Sequence, residues 1–442
     1  MRRLGLVAGC LTFSATVALS QSAGVGRTAP TTAEVDAIYP DIESLYIDLH
    51  RNPELAFQET RTAATLAGLL KTYGFEVTTG VGKTGVVGVL RNGAGPTVMM
   101  RTEIDALPVE EKTGLAFAST VVTKNTAGQT VPVMHACGHD LHMSAWAGTA
   151  RLMAQHRDRW RGTLMMVGQP AEEVLAGAAA MLSDGLFTRF SKPDVALSVH
   201  DDDTLPAGTI GYHPGFFRSM SDAVSITVFG RGGHAAMPHN TIDPVVLAAR
   251  IVLTLQTVVS RENNPVDPVV VTIGSIHGGT QGNIIPDEVR LQLSVRTYTT
   301  DVRSRTLAAI RRIAKGEAEA SGAPREPIVE APARASVPVY NDPALTLRLA
   351  GALKKSLGDD RVVEMPQKMT SEDFAFYGAA GVPTVLLHIG AVDAAKLADA
   401  RQSGVLLPAP HSPEWAPLHE PTLKGAVQAE VAALLELLRV NP

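Results

Sequence analysis

A series of short apolar runs, each delivering acids or imidazoles at its end, constrains this chain more than any other feature. Residues 97–101 lead into Glu103 and Asp105, residues 164–169 into Pro170-Ala171-Glu172-Glu173, and residues 195–199 into His200-Asp201-Asp202-Asp203. Apolar runs of this length read as buried strands, and helical patterns stand around them: one ending near residue 49, one over 59–73 and one running from Asp140 to residue 154. Strand-like runs at 86–90 and 384–389 and a closing helical pattern over 424–438 extend the alternation. The expected architecture is α/β, with a mostly parallel mixed sheet flanked by helices. Ligands of such sheets bind beyond the carboxyl ends of the strands. Ionisable groups delivered there by apolar strands are costly unless something pairs with them.

The stretch from 218 to 330 follows another rhythm. A strand at 223–229, a helix over 243–260, strands at 269–276 and 289–298, a helix over 301–321 and a last strand near 327–329 give the order β-α-β-β-α-β. That order is the ferredoxin-like split unit. A chain of 442 residues has room for two cores. The division expected is one α/β domain formed by 30–217 and 331–442, with an α+β domain at 218–330 inserted in it.

Composition narrows the class of partner. Hydrophobic residues make up 45% and charged residues 19%, as in an ordinary globular protein, and the formal charge is -5 with no long basic run. Nucleic acid is therefore not an expected partner, and a small soluble molecule is. Residues 1–23 read as a signal peptide: Arg2 and Arg3, an apolar stretch over 4–19, then Ala18-Leu19-Ser20 at a cleavage site. An exported, periplasmic or secreted protein is expected. Val7-Ala8-Gly9-Cys10 resembles a lipoprotein box, but the apolar stretch before Cys10 is very short, and no later stretch reads as a membrane span. Residues 24–35 read as a linker.

Only two cysteines occur, and Cys10 would leave with the signal, so Cys137 would enter an oxidising compartment alone. Such a thiol is buried and inert, a nucleophile, or held by metal. Its setting is His135-Ala136-Cys137-Gly138-His139-Asp140. A thiolate and an imidazole two residues apart, with a glycine between them, can face one metal site, and Asp140 is placed to cap the helix that follows. With the carboxylates of the other strand ends, this donor set suits zinc or a similar borderline divalent ion. Adjacent Glu172 and Glu173 point in different directions, so one can hold metal while the other handles protons.

Several segments in a fixed order carry a family resemblance. They are residues 101–108 (Arg-Thr-Glu-Ile-Asp-Ala-Leu-Pro), the segment around Cys137, Gln169-Pro170-Ala171-Glu172-Glu173, and Gly232-Gly233-His234-Ala235-Ala236-Met237-Pro238-His239. Asn283-Ile284-Ile285-Pro286-Asp287, Ser371-Glu372-Asp373-Phe374 and His411-Ser412-Pro413 complete the set. Together they resemble the dinuclear-metal aminoacylase/carboxypeptidase superfamily, in the branch of hippurate hydrolases and indole-acetyl-amino-acid amidohydrolases. The resemblance implies an N-acyl-amino-acid amidohydrolase, homodimeric, with the inserted domain 218–330 serving as a lid or dimerisation unit and with two divalent metal ions per subunit: zinc, or manganese, cobalt or nickel. It implies Cys137, His139, Glu173, His200 and His411 as metal ligands, Cys137 bridging or flanking the pair. Glu172 would be the general base and proton carrier, and Asp105 would orient a ligand imidazole. His234 would steady the oxyanion from the partner subunit, and Asn283 and Arg296 would grip the substrate carboxylate.

Two departures stand out. Glu103 replaces a shorter acid in the Arg-Thr-Glu-Ile-Asp segment, and Asp201-Asp202-Asp203 replaces an apolar or proline-containing stretch. The remaining histidines His50, His156, His277 and His388 read as structural, while His135, His142 and His239 fit capping or core roles at least as well as site roles. The methionine pairs at 99–100 and 165–166 read as core. Ser371-Glu372-Asp373 lacks the glycine frame of a nucleophile elbow and reads as a turn lining the site. Three rival readings remain: a carboxypeptidase or dipeptidase of the same superfamily, a non-catalytic metal- or ligand-binding protein, and a hydrolase using Cys137 as nucleophile.

Overall fold

The structure is a computed structural model that describes residues 30–332 and 336–438. The signal segment 1–23 and Cys10 lie outside the described residues. The first helix, Thr32–Arg51, starts inside the expected linker because Thr31 and Glu34 form a capping box, each side chain bonding the other's backbone N–H.

An eight-stranded mixed sheet forms the larger domain. Its order is Glu76–Val81, Gly85–Asn92, Gly162–Gln169, Thr97–Glu103, Val195–Pro206, Thr384–Val392, Ile210–Tyr212 and Val362–Glu364. The four central strands are mutually parallel. The hairpin of 76–81 and 85–92 adds antiparallel pairing at one edge. Side chains alternate between the two faces, which explains the paired methionines. Met100 and Met166 join a core under the helices Thr32–Arg51, His139–Gln155 and His419–Leu437, while Met99 and Met165 pack on the opposite face. Both pairs are core, as expected.

The third central strand runs further than expected. Instead of ending at His200 it continues to Pro206, because Thr384–Val392 keeps its ladder alongside through Ile389↔Asp201 and Gly390↔Asp202. The acidic run is therefore strand, held next to the site.

The inserted unit is a four-stranded antiparallel sheet in the order Val270–His277, Glu288–Thr297, Met220–Phe229, Ile328–Glu330, with two helices on it, Pro244–Thr257 and Thr300–Ala320. It has its own core of Val224, Ile226, Leu247, Ile251, Leu291 and Ile310, among others. A two-stranded piece, Gly233–His234 with Ile284–Ile285, projects from it and gave no sequence signal. By length and apolarity alone, Pro244–Glu262 would pass for a membrane span, a point the sequence reading did not anticipate. Leu247, Ile251 and Leu255 bury one face of it on the sheet, and Val245, Val246 and Leu253 leave the other exposed.

Candidate metal centre and active site

The parallel strands end at a cavity of about 450 Å³ whose wall includes Cys137, Glu172, Glu173, His200 and His411. Local backbone geometry brings them there. Gly138 sits in the left-handed region at φ 72°, and a Cβ on it would lie 2.4 Å from Asp201 Oδ2. It is the N-cap of the helix that begins at His139. This corrects the expectation for Asp140, which lies inside the first turn with its carboxylate 2.6 Å from His50 Nδ1. Among the described residues six non-glycine residues have positive φ, and three of them, Ala171, Leu175 and His411, flank the cluster. Such conformations cost about 1–3 kcal/mol each and persist where the surroundings fix them. All three are held in this way: Ala171 N–H donates to Glu59 at 2.9 Å, Leu175 N–H to the Glu172 carbonyl at 2.7 Å and His411 N–H to the Ala136 carbonyl at 2.7 Å.

The donors form two overlapping triads. Cys137, His139 and His200 present ligand atoms within 4.8 Å of one another, and so do Cys137, Glu173 and His411. Cys137 Sγ stands 3.5 Å from His200 Nε2. The two oxygens of Glu173 face different imidazoles, Oε1 at 3.8 Å from His139 Nε2 and Oε2 at 3.4 Å from His411 Nε2. A shared thiol and a shared carboxylate between two imidazole sets is what a pair of adjacent cations would use. Two further observations fit that use. His139 Nε2 and Glu173 Oε1 are buried with no hydrogen-bond partner, a state that buried polar atoms rarely tolerate. The other nitrogen of each buried imidazole is committed: His139 Nδ1 donates to the Asp105 carbonyl and His200 Nδ1 to the Asp201 carbonyl, both at 2.8 Å. Each ring therefore turns Nε2 toward the cavity.

Charge tells the same story. Burial disfavours a charged His139, but the Asp105, Glu103 and Glu173 carboxylates outweigh it and push its pKa up to about 10. Burial lifts Glu173 to about 7, and burial with the neighbouring acids lifts the Cys137 thiol well above its ordinary range. His200 is pushed down to about 3, chiefly by burial. A negative surplus of this kind attracts cations. Cys137 without them is a neutral thiol beside an imidazole that resists protonation, the opposite of an activated nucleophile.

Glu172 is buried in the cavity wall. Burial first, then Glu372, Glu173 and Asp373, raise its pKa well above the carboxylate range. Asp105 is fully buried. Its Oδ2 accepts from the Glu173 N–H at 3.1 Å, but His139 Nδ1 lies 3.5 Å from Oδ1, so the backbone carbonyl of Asp105 makes the stronger hold on the imidazole. Arg296 lines the cavity and donates to Ser371 Oγ at 2.9 Å. His234 and Asn283 are exposed on the inserted domain, outside the cavity wall of this chain.

The two departures have defined places. Glu103 does not reach the cavity; it pairs with Arg101 and with His142 Nδ1 at 3.1 Å. Arg101 also binds Glu372 at 2.8 Å and Asp373 at 3.0 Å, so the Ser371–Glu372–Asp373 turn is anchored from below. Asp201 accepts from Trp415 Nε1 at 3.0 Å and lies against His142 and His200. Asp202 bonds His388 Nδ1 at 2.6 Å and Lys368 Nζ at 2.5 Å. Sequence reasoning missed Arg218 and Lys368 on the cavity wall. No motif marks either one, and only the bridge between their backbones puts them side by side.

Residues 99–402 match the model of peptidase family M20/M25/M40. The chain is 36% identical over 350 residues to a hippurate hydrolase of Campylobacter jejuni, covering 78% of this chain and 86% of that one. It is 34% identical over 340 residues to an N-acetyl-L-cysteine deacetylase of Bacillus subtilis, covering 74% and 75%. Among solved structures, a Bacillus subtilis protein described as a dinuclear metal binding peptidase of the M20 family superposes with a TM-score of 0.72 at 29% identity, over 92% of this chain and 100% of that one. Sequence match and fold agree: this chain belongs to peptidase family M20/M25/M40.

Proposed function

We propose that the protein is a metal-dependent amidohydrolase that cleaves N-acyl amino acids to a carboxylic acid and an amino acid. The observation that carries this reading is the placement of Glu172, a buried proton acceptor, against two donor triads that share Cys137. A protein built only to hold metal has no use for that second acid. Cys137, His139, Glu173, His200 and His411 would hold two divalent ions, which when bound would polarise the amide carbonyl and acidify water. Glu172 takes the proton from the attacking water and passes it to the leaving amine, a task that suits a carboxylate with raised proton affinity. Arg296, whose guanidinium Ser371 and Ser294 orient at 2.9 and 3.1 Å, receives the substrate carboxylate.

His234 and Asn283 are exposed and do not line this chain's cavity, and the exposed apolar face of Val245, Val246 and Leu253 belongs to the same domain. Both features support a homodimer in which the partner subunit's inserted domain closes the site, with His234 steadying the oxyanion. The basic and apolar character of residues 1–23 supports an exported enzyme.

The test is amine release from N-acetyl, N-benzoyl and indole-acetyl amino acids, with dipeptides alongside, after chelation and after addition of zinc, manganese, cobalt or nickel. Release that stops with chelator and returns with one ion supports the reading. Release from dipeptides alone, or turnover that survives chelation, refutes it.

A further inference from the structure

Arg218 ends the strand Gly215–Arg218 and lines the same cavity as the donor triads. It is buried to 6% exposure, yet the carboxylate contacts made by fully buried Arg101 and by partly buried Arg303 are missing from it. Arg101 meets three carboxylates, and Arg303 binds both oxygens of Asp222. Among the described residues no carboxylate stands within ion-pair distance of Arg218, and its Nε has no hydrogen-bond partner. Its Nη2 instead donates to His388 Nε2 at 3.1 Å, and His388 in turn donates from Nδ1 to Asp202. A ring that accepts at Nε2 and donates from Nδ1 is neutral, so it positions the guanidinium without neutralising it.

The neighbouring charges do not cancel it. Lys368 is taken up by Asp202 at 2.5 Å and Asp203 at 3.8 Å. Asp201 is engaged by Trp415, His142 and His200. An isolated guanidinium at this depth is costly, and a planar anion is the partner its fork fits best. Arg296 is a separate cation. It stands opposite Ser221 in the lid sheet, three residues along the chain from Arg218.

We propose that Arg218 is a specificity-determining residue that receives a second carboxylate of the substrate, so that the enzyme acts on dianionic N-acyl amino acids. The inference rests on the amidohydrolase reading above, with Arg296 holding the α-carboxylate. The second carboxylate comes either from a dicarboxylic acyl group or from an acidic amino-acid side chain, and Arg218 offers the same fork to both.

Two matched substrate pairs separate these sources: N-succinyl- against N-butyryl-L-alanine, and N-acetyl-L-glutamate against N-acetyl-L-glutamine. In metal-loaded enzyme, kcat/KM for the acid member of at least one pair should exceed its neutral partner roughly 10- to 100-fold, expressed mainly in KM. Arg218→Met should collapse that ratio, Arg218→Lys should keep part of it, and Arg296→Met should lower both members together. A ratio at or below one in both pairs, or a ratio untouched by Arg218→Met, overturns the proposal. Calorimetric binding of glutarate against butyrate to the same proteins gives a readout independent of turnover. Preference for glutarate that disappears in Arg218→Met supports the proposal even if every amide in the panel is inert, in which case only the choice of reaction fails. Equal binding of the two acids overturns it. Should Arg218→Met not fold, Arg218→Gln carries the same test, with the thermal midpoint as the check on folding.

Discussion

Gly138 separates two proposed metal ligands, and replacing it with alanine is a sharp test of how the site is assembled. A β-carbon residue at φ 72° costs about 1–2 kcal/mol relative to glycine. The added methyl would also lie 2.4 Å from Asp201 Oδ2, well inside contact distance. Asp201 has little freedom to yield, because Trp415 Nε1 holds it at 3.0 Å and His142 and His200 flank it. Backbone strain and displacement together suggest a loss of about 2–4 kcal/mol, which in a chain of this size lowers the thermal midpoint by only a few degrees. The larger consequence falls on Cys137 and His139, whose side chains would move relative to each other. Metal affinity should drop about 10- to 100-fold, as when the groups that orient ligands are disturbed. Competition with a chelating dye measures that affinity, and thermal denaturation without metal measures the strain separately. Gly138→Ala protein that binds metal as tightly as the parent would refute this account of the loop.

Two further predictions rest on other parts of the molecule. Glu430, buried in the helix His419–Leu437, has its pKa lifted by burial from 4.5 to about 8, a displacement worth roughly 4–5 kcal/mol. Because the folded value is the higher one, this contribution is intact below about pH 4.5 and is lost as pH rises toward 8. Glu430→Gln should therefore match the parent in thermal midpoint near pH 5 and exceed it near pH 8.5, and equal midpoints at the higher pH would contradict the burial argument. If His234 acts across the subunit boundary, His234→Ala and Glu172→Gln chains, each inactive alone, should regain activity when refolded together. Mixed dimers that stay inactive would place a complete site in one chain.

Much of this could be read along the chain. The strands announce themselves because a central parallel strand is apolar throughout, and an acid or imidazole closing such a run is conspicuous, as at Glu172 and Glu173. The segment around Cys137 was legible because its residues are local to one loop. What escaped notice depends on distant partners. Asp140 looked like a cap on spacing alone, but Asp201, sixty-one positions later, leaves room only for a glycine at the capping position. The strand through His200 runs on because Thr384–Val392 happens to lie alongside it. Arg218 and Lys368 stand 150 residues apart in the chain and meet only through a bridge between their backbones, so no window of sequence could join them to the cavity. The apolar outer face of the lid helix is equally ambiguous in sequence, since a buried face, an interface and a membrane span share one composition.

The central claim is that Glu172 moves the proton while Cys137, His139, Glu173, His200 and His411 hold the metal. The direct measurement is elemental metal content alongside single-turnover hydrolysis of an N-acyl amino acid by Glu172→Gln protein. The account predicts the parent's complement of about two ions per chain, with the hydrolytic step slowed by at least ~10²–10⁴-fold. Near-parent turnover at full metal content would contradict it.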